Sequence, residues 1–236
     1  MTVEGYEGDF TPNYGDNVLS ALNGVQQGTW ARLGENGEEI IVGAQDAFGL
    51  QRQTYRLSAA YVVDKVDNLE NVDLSPYTAI LVEEGGELCP AAGLTVEIPV
   101  TNRGTISGGT YTGAVINQAG AVIQGGTFAN LANAGTVQGV EGGTLVINGV
   151  ISQSAGGSVK QPCGYGENAS VAEGWQGTIE VVMAVNGADE TFSYGADVLS
   201  ALEQGSWFRQ TSDGYEKVES GDGFPLQRQN YIDLSI

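Results

Sequence analysis

The sequence predicts a mostly β chain in which a short parallel β-solenoid is flanked by two small α+β modules of one kind. Three observations carry this. Tyr14-Gly15-Asp16-Asn17-Val18-Leu19-Ser20-Ala21-Leu22 recurs as Tyr194-Gly195-Ala196-Asp197-Val198-Leu199-Ser200-Ala201-Leu202. A second motif, Gln51-Arg52-Gln53-Thr54-Tyr55, recurs downstream of it as Gln227-Arg228-Gln229-Asn230-Tyr231. Between the copies, Gly-Gly pairs at 85–86, 108–109, 125–126, 142–143 and 156–157 mark a different, shorter repeat.

The C-terminal module, 175–236, shows its elements most clearly. Thr178 to Val185 is an apolar, β-branched run, Asn186-Gly187 is a hairpin turn, and Glu190 to Ser193 returns as a second strand. Val198, Leu199, Ala201 and Leu202 fall at helical spacing, with Asp197 as cap and Gly205 as stop. Ser206 to Gln210 and Tyr215 to Glu219 form a hairpin around Asp213-Gly214, and Tyr231 to Ile236 is the last strand. Two strands, a helix, two strands and a final strand is a β-grasp-like order, one mixed sheet with a helix across it. In the first module, 1–60, the helix is Asn17 to Leu22 and the hairpin turns at Asn36-Gly37. Aligning Val3 with Val185 leaves Thr178 to Val182 without a counterpart. The chain is therefore expected to begin inside a module, a natively shorter module being the alternative.

Residues 61–78 carry Asp64, Asp67, Glu70 and Asp73 at roughly three-residue spacing. They lack the alternating oxygen ligands, central glycine and final glutamate of a calcium loop. A solvated acidic linker is the better reading.

The solenoid is expected over 79–165. Thr110-Tyr111, Thr127-Phe128 and Thr144-Leu145 follow Gly-Gly pairs, and Asn102, Asn117, Asn133 and Asn148 recur every 15 or 16 residues. A unit of this length with one apolar position per short strand indicates stacked coils. Four or five coils at ~4.8 Å make a rod of roughly 20–25 Å. The asparagines read either as a polar strip for sugar hydroxyls or, with better physical support, as side chains bonded from coil to coil. Tyr111 and Phe128 belong in the core.

The phrasing Gly104-Thr105-Ile106-Ser107-Gly108-Gly109-Thr110-Tyr111-Thr112-Gly113, then Val115-Ile116-Asn117, resembles the GGTF-type repeats of right-handed parallel β-helices in surface proteins of Gram-positive gut bacteria. The flanking modules are similar in outline to the β-grasp domains of such proteins. The resemblance implies a right-handed solenoid and an extracellular, cell-surface location. It transfers no catalytic residue.

Composition narrows the function. With 29 acidic residues, 9 basic residues and no histidine, the formal charge is −20. That disfavours nucleic acid and anionic membranes, both of which need a basic face. No apolar run of 18 residues exists, so no membrane-inserting segment is expected. The lack of histidine removes the commonest general base. Between Ile98 and Val159 only Arg103 and Glu141 are charged, so the paired carboxylates of a solenoid glycosidase or lyase are missing. Cys89 and Cys163 follow the first and last Gly-Gly pairs. A regular stack sets them ~19 Å apart, too far for a disulfide, and predicts two partly buried thiols. No metal or other cofactor is expected.

The leading expectation is a non-enzymatic adhesive or ligand-binding protein, with glycans or host surface proteins as partners. A spacer and, less well supported, a carbohydrate-active enzyme are the alternatives. The candidate binding residues are Trp30 and Trp207, each able to stack on a sugar ring, and Arg52 and Arg228 of the duplicated triplets. Each also has a structural reading, as core anchors for the tryptophans and as arginine stems packed on the sheet.

Overall fold

The computed structural model describes residues 1–7, 10–34 and 38–235. The expected turn at Asn36-Gly37 lies outside the described residues, as does Ile236.

The chain is mostly β, with a parallel β-solenoid of about 6 turns. One row of inward side chains shows the stacking: Tyr61, Ile80, Val100, Val115, Leu131, Ile151 and Val171 pair in register from coil to coil. A second row runs Leu88, Ile106, Ile123, Val137, Val159, Ile179. A third runs Val96, Tyr111, Phe128, Ile147, Tyr165. Tyr111 and Phe128 are buried and stacked, with ring centroids 4.9 Å apart. Glycine at the corners answers to crowding: a Cβ on Gly104 would lie 2.3 Å from the Gly86 carbonyl oxygen, and one on Gly125 2.5 Å from that of Ser107.

The solenoid is longer than the glycine pattern indicates. Ala60–Val63 and Val66–Asp67 pair with Ala79–Val82 and Glu87–Leu88, so the first coil lies inside the stretch read as an acidic linker. Leu69 is buried there, and Val72 and Leu74 pack on the solenoid core. The spaced acids shape the turns: Asp67 accepts from the Leu69 N–H at 2.8 Å and Asp73 from the Ser75 N–H at 3.0 Å. At the other end the stack continues to Thr178–Ile179, which pair with Ser158–Val159.

The fifth coil corrects the register of the repeat. Thr127 and Phe128 pair with Val146 and Ile147, so Thr144-Leu145 is not the equivalent rung. The amide ladder runs Asn102, Asn117, Asn133 and then Gln153, with Nδ2–Oδ1 or Nδ2–Oε1 distances of 2.8, 2.9 and 2.9 Å. Asn148 is exposed and outside it. The turn at Val140–Gly143 adds residues to this coil and shifts the fixed-period count off the stack.

The flanking regions share one strand order. In the first, Thr2–Val3, Thr54–Leu57, Trp30–Leu33 and Glu39–Ile41 lie side by side. In the second the order is Ala188–Ser193, Thr178–Val185, Asn230–Asp233, Trp207–Thr211, Gly214–Lys217. The registers match residue for residue: Val3 pairs with Tyr55 as Val185 does with Tyr231, and Arg32 with Tyr55 as Arg209 does with Tyr231. Each has a short helix, Val18–Asn23 or Val198–Ala201, whose cap Asn17 or Asp197 accepts from the N–H three residues on. Asn186 and Gly187 both have positive φ, as their two-residue hairpin requires.

The two modules join the solenoid differently. Thr178–Val185 is shared between the last coil and the second module, and one hydrophobic core runs through both. Trp175 packs there with its ring 5.4 Å from Tyr194. The first module keeps its own core around Trp30, Phe48 and Tyr55 and lies against the solenoid through Ala31 and Ile41 on Ala79 and Leu81. Buried Glu39 clamps this joint, accepting from Arg56 Nε at 2.6 Å, from Ser58 Oγ, and from Thr78 Oγ1 at 2.8 Å. Arg103 adds a bond from Nη2 to the Val42 carbonyl at 3.0 Å.

Candidate functional site

The first module covers only the early coils of one solenoid face. Beyond it the outward side chains of that face are Ile116, Ala132 and Ser152, paired in register on successive coils. Two of the three are small, and the surface between the modules sinks into a groove of about 610 Å³. Gln45 and Asp46 of the first module bound one end, and Ala172 to Trp175 bound the other. A side recess of about 260 Å³ continues it over Ala114, Asn130 and Val150 to Ile40 of the first module.

Local structure holds the rim. Asp46 Oδ2 accepts from the Gly43 N–H at 2.7 Å and its carbonyl from the Val18 N–H at 2.9 Å, tying the loop to the helix start. The amides of Asn117, Asn133 and Gln153 border the groove, but the coil-to-coil ladder uses them. What the groove offers a ligand is a mostly apolar floor, the amide of Gln45, the Nε2 of Gln118 (whose Oε1 accepts from Arg103 Nε at 3.1 Å), Trp175 and acidic corners at Asp46 and Glu173.

The sequence-derived candidates lie elsewhere. Trp30 and Trp207 are only 2% and 5% exposed, and their indole N–H groups donate to the carbonyls of Gln26 (3.0 Å) and Glu203 (2.7 Å). They are equivalent core anchors and present no face to a sugar. Arg52 and Arg228 are exposed at equivalent positions, away from the groove. Arg52 Nη2 donates to Thr2 Oγ1 at 3.1 Å, and Arg228 pairs with Asp189 at 2.5 Å. The duplicated triplets have a structural cause: Gln53 accepts from the Tyr55 hydroxyl and Gln229 from that of Tyr231. Gln227 Nε2 also donates to the Gly166 and Ala169 carbonyls, fastening the second module to the last coils.

The cysteines stand as two free thiols in the second and sixth coils, Cys89 half-buried and Cys163 buried. Burial pushes the Cys163 thiol up to about 12 and raises the phenols of Tyr111 and Tyr165 as well. All three lie in the solenoid core, outside the groove. Among the described residues no group of three or more acidic or cysteine side chains is placed to hold a metal ion.

The groove residues carry no motif. Their only signal in the sequence is that Ile116, Ala132 and Ser152 each precede a rung of the amide ladder, and that register appears only once the fifth coil is counted correctly. Comparison with known proteins adds no relative: no family model, curated protein or solved structure matches the chain.

Proposed function

We propose that this chain is a non-enzymatic recognition unit of a bacterial cell surface, with a right-handed solenoid, two β-grasp-like modules, and the solenoid groove as its contact surface. The observation that supports this best is the groove itself: an in-register floor on successive coils, walled at one end by the first module and at the other by the Ala172 to Trp175 turn of the last coil. Glycans and host surface proteins are the expected partners, since a net charge of −20 works against nucleic acid. A second reading, a rigid spacer, draws on the strand shared by the last coil and the second module, which leaves no flexible link between them.

The test is binding to an array of glycans and mucins by the wild-type chain and by Ala132→Arg, which fills the groove floor. Saturable binding that Ala132→Arg abolishes and Arg52→Ala and Arg228→Ala leave intact is the expected result. A blank array moves the assignment to the spacer, and binding that survives Ala132→Arg removes the groove from it.

A further inference from the structure

The two modules are built on one register, yet their outer sheet faces meet different surroundings. In the first, Ala31 pairs with Ile41 and Arg56, and this face lies on the solenoid, with Ala31 and Ile41 fully buried. The matching positions in the second are Phe208, Lys217 and Ile232. There Phe208 and Ile232 are half-buried, Lys217 is exposed, and Tyr215, the counterpart of buried Glu39, is 56% exposed. The second copy thus carries larger apolar side chains on the face that the first copy uses for docking, and leaves that face uncovered.

What the first module docks on is also available again. Ala79 and Leu81 belong to the same solenoid face as Ile116, Ala132 and Ser152, the groove floor. Three coils at ~4.8 Å give a floor roughly 14 Å across, the width of three strands at the same spacing. Asn230–Asp233, Trp207–Thr211 and Gly214–Lys217 are three such strands. Lys217 on the module face pairs with Glu219 at 3.9 Å, so the contact is carried by the apolar side chains rather than by charge. Each molecule therefore holds one free docking face and one free stretch of the surface such a face packs on.

We propose that the second module's outer face docks into the groove of a second copy of this chain. The inference rests on the groove being a contact surface and adds an occupant to it. Because the two surfaces differ, the contact is head-to-tail, and a rotation that does not close makes it propagate into filaments.

Sedimentation velocity of the full chain over a rising concentration series tests this. The expected result is a mass that climbs from 24.6 kDa past the dimer. Phe208→Asp and Ala132→Arg should each stay monomeric, and so should Tyr215→Asp, whose exposed site leaves folding undisturbed. The decisive arm is an equimolar mixture of Ala132→Arg and Tyr215→Asp. One supplies an intact face and the other an intact groove, so the mixture should form dimers and stop there. A wild-type chain monomeric throughout, or a mixture that shows no dimer, overturns the proposal. If Ala132→Arg still abolishes array binding in that case, the groove remains a recognition site and only the self-docking is lost.

Discussion

Replacing Gln153 with alanine removes the last rung of the amide ladder and three hydrogen bonds with it. Its Oε1 accepts from Asn133 Nδ2 at 2.9 Å, and its Nε2 donates to the carbonyls of Gln176 and Thr178, both at 3.0 Å. A net contribution near 1 kcal/mol per bond sums to about 3 kcal/mol, with a range of roughly 1.5–4.5 kcal/mol. Asn133 keeps a weaker partner, the Ser158 carbonyl at 3.3 Å, which holds the cost below that of an orphaned buried donor. For a chain of this length such a loss lowers the melting temperature by about 6–12 °C. Asn148, which the fixed period places at the equivalent position, is exposed, and Asn148→Ala should stay within ~0.5 kcal/mol of wild type. Urea unfolding of the two variants side by side is the assay. Equal losses, or a Gln153→Ala cost under about 1 kcal/mol, would show that the ladder does not couple the fifth coil to the sixth.

Three further outcomes follow from the same geometry. Trp30→Ala and Trp207→Ala should each cost about 3–5 kcal/mol in chemical denaturation while the surviving folded protein binds as wild type; a variant of full stability that loses binding would restore the indoles as ligand platforms. Glu39→Ala removes the clamp on Arg56, Ser58 and Thr78, so hydrogen exchange should speed up at Ala31, Ile41 and Ala79 with the later coils unchanged, and uniform protection would show the joint is held by packing alone. Cys163 stays protonated in the fold up to about 12, above its ordinary value of 9.0, so between those limits the unfolded chain binds fewer protons and stability falls as pH rises. Denaturant midpoints should therefore drop above pH 9, Cys163→Ser should flatten the drop, and an unchanged slope would assign it to Tyr111 and Tyr165.

The duplication was legible because its core side chains are large and fixed in register. Trp30 and Trp207, like Tyr55 and Tyr231, keep their identity, their separation differs by a single residue, and the strands they mark pair in the same order in both copies. The middle coils were legible because glycine is forced where coils approach closely, as at Gly104 and Gly125. The outer coils were not. The first has no Gly-Gly pair and turns instead through Asp67 and a positive φ at Leu69, so its acids look like linker charges. The last ends in a strand whose apolar pattern belongs equally to the sheet of the next module. The fifth was misread by counting, since a longer turn moved the amide from Asn148 to Gln153.

The groove was illegible for a different reason: it is made by what is left uncovered. Ile116, Ala132 and Ser152 are unremarkable as residues, and become a site only because the first module stops short of them. That module stops there because its sheet is four strands wide and ends at Glu39–Ile41, whose clamp at Thr78 fixes it over the early coils. The outer faces of the two modules diverged according to what each meets. Close packing on the coil that carries Ala79 and Leu81 leaves no room beyond Ala31, whereas Phe208 and Ile232 have no coil of their own chain beneath them and match the smaller Ala132 and Ser152 of the groove floor. A solvated sheet face under selection for solubility alone drifts toward polar residues. A phenylalanine, an isoleucine and an exposed tyrosine on adjoining strands depart from that expectation, as the proposed docking on a second copy requires.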